Sequence, residues 1–389
     1  MNTAISHKTI AVEDLLDAAV EACQPTPEQH ERAVTSYRHV GGWVCDPEGS
    51  LARYSPRYSP QGSFVYGTVV RPLWQHEFDL DALARLCLDP YRVSSDEAYA
   101  LVSARISQHG DLRKRMEPHP RCVRLKYKDD FHHDVTPACD DPRPGRAMLI
   151  RAKPEERVDG SPWASWKVND AFGFARWFIG RNATLIESRM LASVDPEPPF
   201  VAASQKTPLR KIVQLVKMRR NRFYEPVDIP SSIMLTTMAG ECYSGQAFSL
   251  EANIAVVGSM SAWADRQGDS LKVPHPTIPE EDLAKGLDSE GRARLREFLQ
   301  TYHAELIALG SHRGIHRISE GLGKMYDGQA VESAVRSLAD SVQDARARDA
   351  LHVGRTAVPL IIVTNKVTAS DIMPRPNPTH SFHGGAIDQ

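Results

Sequence analysis

The chain has 389 residues, 41% of them hydrophobic and 25% charged, with a formal net charge of −2. That length suits two lobes sharing an interface rather than one core, and the composition excludes a globally disordered chain. The nearly balanced charge excludes an overall electrostatic pull toward DNA or anionic membranes, leaving only local basic surfaces.

The N-terminal stretch MNTAISHKTIAVEDLL lacks the apolar core of a leader peptide. The longest apolar run, around Val358 to Val363, is far shorter than a bilayer span. A cytoplasmic protein with no membrane partner is expected. Six cysteines (Cys23, Cys45, Cys87, Cys122, Cys139, Cys242) occur without a C-x-x-C pair, which reads as reduced thiols. His132 and His133 fall between Cys122 and Cys139, but the spacing lacks the tight pairing of a closed zinc site, so no structural zinc is expected.

Residues 11–35 read as one helix, with Val12, Leu15, Leu16, Ala19 and Cys23 at helical spacing. A loop rich in Pro, Gly and Tyr follows, through Asp46-Pro47, Ser55-Pro56 and Ser59-Pro60 to Gly62. Residues 62–150 mix short strand-like runs (Glu77–Asp81, Arg121–Tyr127, His132–Cys139, Arg146–Arg151) with a helix near 95–107. Residues 161–345 are mainly helical. Their apolar stripes are Leu209, Ile212, Val213 and Val216; then Leu295, Phe298, Leu299, Tyr302 and Leu306; then Val331, Ala334, Val335, Leu338 and Val342. The fold class is therefore α+β: a first lobe over residues 1–160, a helical lobe over 161–350, and a Pro- and Gly-bearing mobile tail over 365–389.

The chemistry is concentrated in Gln61 to Asp81, QGSFVYGTVVRPLWQHEFDLD. Gly62-Ser63 opens an apolar helical stretch, and a Gly-Ser turn there offers backbone N–H groups and a hydroxyl to a phosphate chain; alone it is no more than a helix cap. Further on, Glu77-Phe78-Asp79-Leu80-Asp81 reads as a strand. Asp79 and Asp81 then share one face while Phe78 and Leu80 point to the core. Adjacent carboxylates repel unless a divalent cation compensates them, and oxygen ligands select magnesium or manganese. Asp134, in the strand-like run FHHDV, completes the set. Three carboxylates suit two ions: Asp79 and Asp81 for both, Asp134 for the one that activates the attacking hydroxyl.

GSFVYGT, EFDLD and DVTPAC together resemble the signature of the cyclic GMP–AMP synthase/DncV-like nucleotidyltransferases, bacterial second-messenger synthases of anti-phage (CBASS) signalling systems. Thr207–Arg222, TPLRKIVQLVKMRRNR, and Ile229–Gly245, IPSSIMLTTMAGECYSG, are similar to that family's helical-lobe motifs, so the resemblance spans roughly residues 60–310. The Gly-Ser, DxD and Asp pattern is shared by all polymerase-β-like transferases and implies the reaction; the two helical segments narrow the family. The resemblance implies a polymerase-β-like lobe with a twisted mixed sheet, a helical second lobe, and an active site in the cleft between them. It also implies nucleoside triphosphate substrates bound by Gln61, Gly62 and Ser63. Lys217, at the edge of a buried stripe where a cation is costly without an anion, matches the family's triphosphate lysine, and Ser232 would add a hydroxyl to the same phosphates. Tyr243 is a stacking candidate for a base; Trp166 is read as core.

The expected activity is metal-dependent joining of nucleoside triphosphates into a cyclic di- or trinucleotide. The rival is a template-independent transferase acting on an RNA or protein end, which shares the carboxylates but not the helical-lobe segments. Neutral charge and the lack of a zinc cluster disfavour activation by DNA, and a monomer is expected. The family resemblance further suggests an accessory protein acting on the C-terminal tail, where Gly384-Gly385 stands. The basic runs Arg113–Lys128, with Arg124 in it, and Arg210–Arg222 are read first as solvated faces, with a raised positive potential near a nucleotide cleft as the alternative.

Overall fold

The computed structural model describes residues 7–71, 77–128, 130–145, 147–181, 199–224, 230–312 and 314–347. The tail over 365–389, Gly384-Gly385 and the run at 358–363 lie outside the described residues, as do the side chains of Leu338 and Val342.

Two helices replace the single one expected at the start. α1 spans His7–Cys23 and α2 spans Pro27–Val44. Pro25 and Pro27 interrupt the helical ladder, and Thr26 starts the second helix: its side chain accepts from the Gln29 N–H while the Gln29 side chain accepts from the Thr26 N–H. The expected loop before Gly62 also holds a strand, β1 (Arg57–Gln61). Pro56 just before it and Pro60 within it disguise it, and it tolerates Pro60 because it lies at the sheet edge.

After β1 come a short helix α3 (Gly62–Tyr66), β2 (Phe78–Arg85), α4 (Ser95–Ser107), α5 (Gly110–Arg113), β3 (Met116–Glu117) and β4 (Val123–Tyr127). The lobe continues with β5 (Phe131–Asp140), β6 (Met148–Arg151), β7 (Trp166–Asn169) and α6 (Ala171–Gly180). The sheet order is β1-β2-β5-β4-β3, with β6 pairing β5 and then β7. Only β2 and β5 pair in parallel among the described strands; the other pairings are antiparallel. The sheet is therefore mixed, as expected, and flanked by helices.

One face is sealed by α2 and α4. Phe78, Leu80, Ala82 and Phe131 pack with Ala33 and Tyr37 of α2, and Ala84, Leu125 and Val135 pack with Val40, Val102 and Ile106. Each large apolar side chain so buried contributes roughly 1.5–3 kcal/mol. That packing fixes strand register, since a one-residue slip would drive the carboxylates of β2 into the apolar layer.

The helical part comprises α7 (Pro208–Phe223), α8 (Ser232–Cys242), α9 (Leu250–Gln267), α10 (Ser289–Ser311), α11 (Ile315–Met325) and α12 (Gly328–Ala347). A two-stranded hairpin of β8 (Pro274–His275) and β9 (Ile278–Asp282) precedes α10. The first two expected stripes and Val331 are buried in one cluster. Leu15, Leu16 and Ala19 of α1 belong to that cluster too, so the N-terminal helix, expected with the first lobe, packs in the helical one. Tyr66 of α3 also reaches into it, 5.1 Å from the Phe174 ring and 5.7 Å from that of Phe178.

Candidate active site

β2 alternates as its sequence demands. Phe78 and Leu80 are buried, Asp79 is exposed and Asp81 is half-buried. Because β2 runs parallel to β5, Asp81 has Asp134 as its register partner and Asp79 has His132. On the other edge of β2, Gln61 pairs with Asp81, and beyond β5, Arg124 pairs with Asp134. One row across four strands thus reads Gln61, Asp81, Asp134, Arg124. The three sequence-predicted carboxylates are brought together on the face that α2 leaves uncovered.

The electrostatics of the row are unbalanced. Burial, then the negative charges of Asp79 and Asp134, lift the Asp81 carboxyl well above the usual carboxylate range, and Arg124 and Lys217 offset this only in part. Arg124 grips Asp134 with both arms, Nε donating to Oδ1 at 2.8 Å and Nη2 to Oδ2 at 2.6 Å, and lies 3.9 Å from Asp79 Oδ1. Among the described residues a single guanidinium, that of Arg124, faces the three carboxylates, and their donor set is oxygen throughout. A divalent cation fits such a set on charge and on ligand type. The sequence places Arg124 in a basic run but does not single it out as the partner of Asp134; strand alternation on β4 was the signal that could have found it.

Gln61 and Gly62 are placed by the same geometry. Gln61 donates from Nε2 to Thr136 Oγ1 at 3.4 Å. Gly62 has φ +69°, and a Cβ there would stand 2.5 Å from Asp81 Oδ2. Only glycine satisfies both the left-handed backbone and the close approach of the carboxylate. Ser63 is half-buried, and its carbonyl accepts from the Thr68 N–H at 3.0 Å.

Lys217 of α7 is buried at 2% exposure and donates to both the carbonyl and the hydroxyl of Thr68, each at 3.1 Å. It therefore ties α7 to the segment that closes α3. Burial first, then repulsion from Arg220, brings its ammonium down to about 7, against the attraction of Asp81. Ser232 is exposed, and its hydroxyl accepts from Arg220 Nη1 at 3.0 Å. The cap of α8 is its neighbour Ser231, which accepts from the Met234 N–H. Arg220, not singled out from its basic run by the sequence, also donates to the Pro230 carbonyl and to Asn221 Oδ1. Tyr243 departs from its expected role. It is 6% exposed within the helical cluster, and its hydroxyl donates to the Gln246 carbonyl at 2.6 Å. Trp166 is buried, as expected, with its indole N–H donating to the Val93 carbonyl.

The basic run of α7 is largely neutralised inside the fold rather than solvated. Lys211 pairs with Asp17 at 2.7 Å, Arg219 with Glu305 at 2.7 Å, and Arg210 donates to the Tyr66 carbonyl. Of the adjacent histidines, His133 lies on the sealed face between Ser36 and the Tyr58 hydroxyl, and burial holds its ring neutral, down to about 3. His132 sits on the carboxylate face, 3.0 Å from Glu77 Oε2 and 3.7 Å from Asp79 Oδ1. A separate cavity of about 630 Å³ is lined by Gln61, Phe64, Phe172, Phe200, Arg176 and Lys206 among others, and by none of the three carboxylates. No helix among the described residues is long and apolar enough to cross a membrane.

Residues 56–137, which hold Gln61 to Ser63 and all three carboxylates, match the nucleotidyltransferase domain described as cyclic GMP-AMP synthase DncV-like. A protein of Roseivirga ehrenbergii named c-di-GMP synthase is 27% identical over 353 residues, covering 88% of this chain and 91% of its own. The cyclic dinucleotide synthase CdnG of Bradyrhizobium diazoefficiens is 26% identical over 317 residues, covering 74% of this chain and 72% of its own. The structure of B. diazoefficiens CdnG in complex with GTP superimposes with a TM-score of 0.67 at 21% identity, over 83% of this chain and 96% of that one. The fold is that of a polymerase-β-like nucleotidyltransferase with a helical lobe.

Proposed function

We propose, for a nucleotidyltransferase carrying a DncV-like domain over residues 56–137, that its reaction is the condensation of nucleoside triphosphates into a cyclic dinucleotide. The reading takes GTP as a substrate, since one relative is named c-di-GMP synthase and another was solved in complex with GTP. The observation that carries the reading is the single face on which Asp79, Asp81 and Asp134 meet, with Asp81 opposite Asp134. Unpaired carboxylate charge held so rigidly is costly in a structural role and useful in phosphoryl transfer.

Asp79, Asp81 and Asp134 would hold two magnesium or manganese ions, which supply charge neutralisation on the triphosphate and a more acidic attacking hydroxyl. Gly62 and Ser63 present backbone N–H groups and a hydroxyl beside Asp81, where a triphosphate would lie. Lys217 exchanges its Thr68 contacts for a phosphate oxygen, and Ser232 adds a hydroxyl at the start of α8. A 3′- or 2′-hydroxyl of one nucleotide attacks the α-phosphorus of the other, and pyrophosphate leaves. Repetition in the opposite sense closes the ring. This demands both nucleotides in one site, where orientation replaces a bimolecular encounter. A role for the product in anti-phage signalling, and the action of an accessory protein on the tail, follow from the family resemblance.

Incubation of the purified protein with the four labelled triphosphates and magnesium or manganese, followed by phosphatase, tests the reading. A phosphatase-resistant product that requires GTP and is absent from Asp79→Ala/Asp81→Ala is expected. Transfer of label only to added RNA or protein would overturn it.

A further inference from the structure

A cluster of different chemistry overlaps the carboxylate set. His119 and Cys122 flank the turn that leads from β3 into β4, in the run His119-Pro120-Arg121-Cys122, and Asp134 lies on the neighbouring β5. His119 Nδ1, Cys122 Sγ and an Asp134 oxygen all stand within 4.8 Å of one another. The sulfur and the imidazole nitrogen are 2.9 Å apart. Cys122 and Asp134 are buried and His119 is half-buried, so the three donors are held by the fold rather than waving in solvent. The pair His132-His133, which the sequence brought forward, takes no part: His133 is engaged on the sealed face and His132 on Glu77.

The geometry points to a site for a thiophilic divalent cation of the Zn²⁺ class at His119, Cys122 and Asp134, whose filling withdraws Asp134 from the catalytic carboxylates and inhibits the enzyme. Ligand type argues for the metal. Imidazole nitrogen, thiolate sulfur and one carboxylate form a borderline-soft set that favours zinc over magnesium, and three protein ligands leave a fourth position for water. Position argues for the consequence. Asp134 belongs both to this set and to the row facing Asp81, and a carboxylate turned toward sulfur and imidazole no longer serves the oxygen-only set. Arg124, which holds both Asp134 oxygens, would give up at least one of them. Bound zinc displaces the Cys122 thiol proton to solvent, so binding strengthens as pH rises. The inhibition half rests on the reading of Asp134 as catalytic; the binding half does not.

The test uses the full chain with Co²⁺ as a spectroscopic probe and Zn²⁺ as the inhibitor, in wild type, Cys122→Ser and His119→Ala. Wild type is expected to show the near-ultraviolet thiolate-to-cobalt charge-transfer band, absent from Cys122→Ser and weakened in His119→Ala. With magnesium in excess, both variants should keep their zinc-free transferase activity and need about tenfold or more zinc for half inhibition. A band that persists in Cys122→Ser, or no band in wild type, overturns the site. Equal zinc inhibition of all three proteins overturns the mechanism. A band in a protein without transferase activity would leave the site standing and sink the proposed function instead.

Discussion

Asp81 and Asp134 stand directly opposite each other across the parallel pairing of β2 and β5, and this single register decides what the sheet face can do. Parallel neighbours in this sheet come from segments separated by α4, α5, β3 and β4, so the pairing is a tertiary event with a local chemical result. Asp81 feels Asp79 along its own strand and Asp134 across the gap. Arg124 answers Asp134 but leaves Asp81 short of a counter-charge.

Asp81→Asn should cripple transfer yet stabilise the metal-free protein. The folded-state carboxyl is raised above its ordinary value near 3.8. Its ionisation therefore opposes folding: the stability present at acid pH is lost as pH climbs from that ordinary value through the raised one. At neutral pH the asparagine variant escapes this loss. Differential scanning calorimetry without metal should place its Tm higher than wild type by about 1–2 °C for each kcal/mol relieved. The difference should shrink at pH 4 and when magnesium is added. Activity should drop by roughly a thousandfold. Equal Tm values at neutral pH without metal would show that Asp81 is not held against its own charge.

Arg124→Gln carries the opposite sign for stability. It removes the bidentate partner of the buried Asp134, leaving three carboxylates without a guanidinium. Because Arg124 keeps some solvent contact, the loss should be about 1–2 kcal/mol rather than the full penalty of a buried pair. Divalent metal should restore most of it, and the metal concentration for half-stabilisation should fall several-fold. Metal titration followed by thermal melting separates these outcomes; an unchanged metal requirement would mean that Arg124 and the cation do not share Asp134.

The parts of this site legible in sequence were those governed by local alternation. Phe78 and Leu80 in, Asp79 and Asp81 out, follows from strand periodicity alone, and the helical stripes around Leu209 and Leu295 follow from the period of 3.6. What escaped depended on partners distant in the chain. Arg124 reads as one basic residue among seven until β4 is laid beside β5, and Arg220 has no visible purpose until Pro230 and Ser232 return to meet it. β1 was hidden because Pro56 and Pro60 carry a loop signature that an edge strand tolerates. The break between α1 and α2, by contrast, was written in Pro25-Thr26-Pro27, but helical apolar spacing outweighed it.

Lys217 gives a proton-linked prediction. Its folded-state value of about 7 lies below the ordinary 10.5, so its contribution to stability is present above that ordinary value and lost as pH falls through about 7. A triphosphate oxygen beside the ammonium should pull the value back up. Binding of a non-hydrolysable nucleotide at pH 8 should then take up a proton, seen as a dependence of calorimetric enthalpy on the ionisation enthalpy of the buffer. Lys217→Met should abolish that uptake and weaken binding by about 10- to 100-fold, the value of a charged hydrogen bond. Proton uptake unchanged in the variant would place the phosphates elsewhere.

Tyr243 separates packing from base recognition. The ring is buried in the helical cluster, and the hydroxyl is committed to the Gln246 carbonyl, so a leucine can replace most of the apolar contact but neither the hydrogen bond nor a π-face. Tyr243→Leu should cost about 1–2 kcal/mol in denaturant unfolding, the hydrogen bond and a modest repacking term. KM for the nucleotide should stay within about twofold of wild type, because stacking on a base is worth about 1–3 kcal/mol and its loss would raise KM about fivefold or more. The two readings thus differ in which assay moves. A stability loss at constant KM assigns Tyr243 to the core, whereas a raised KM with unchanged unfolding would return it to the nucleotide.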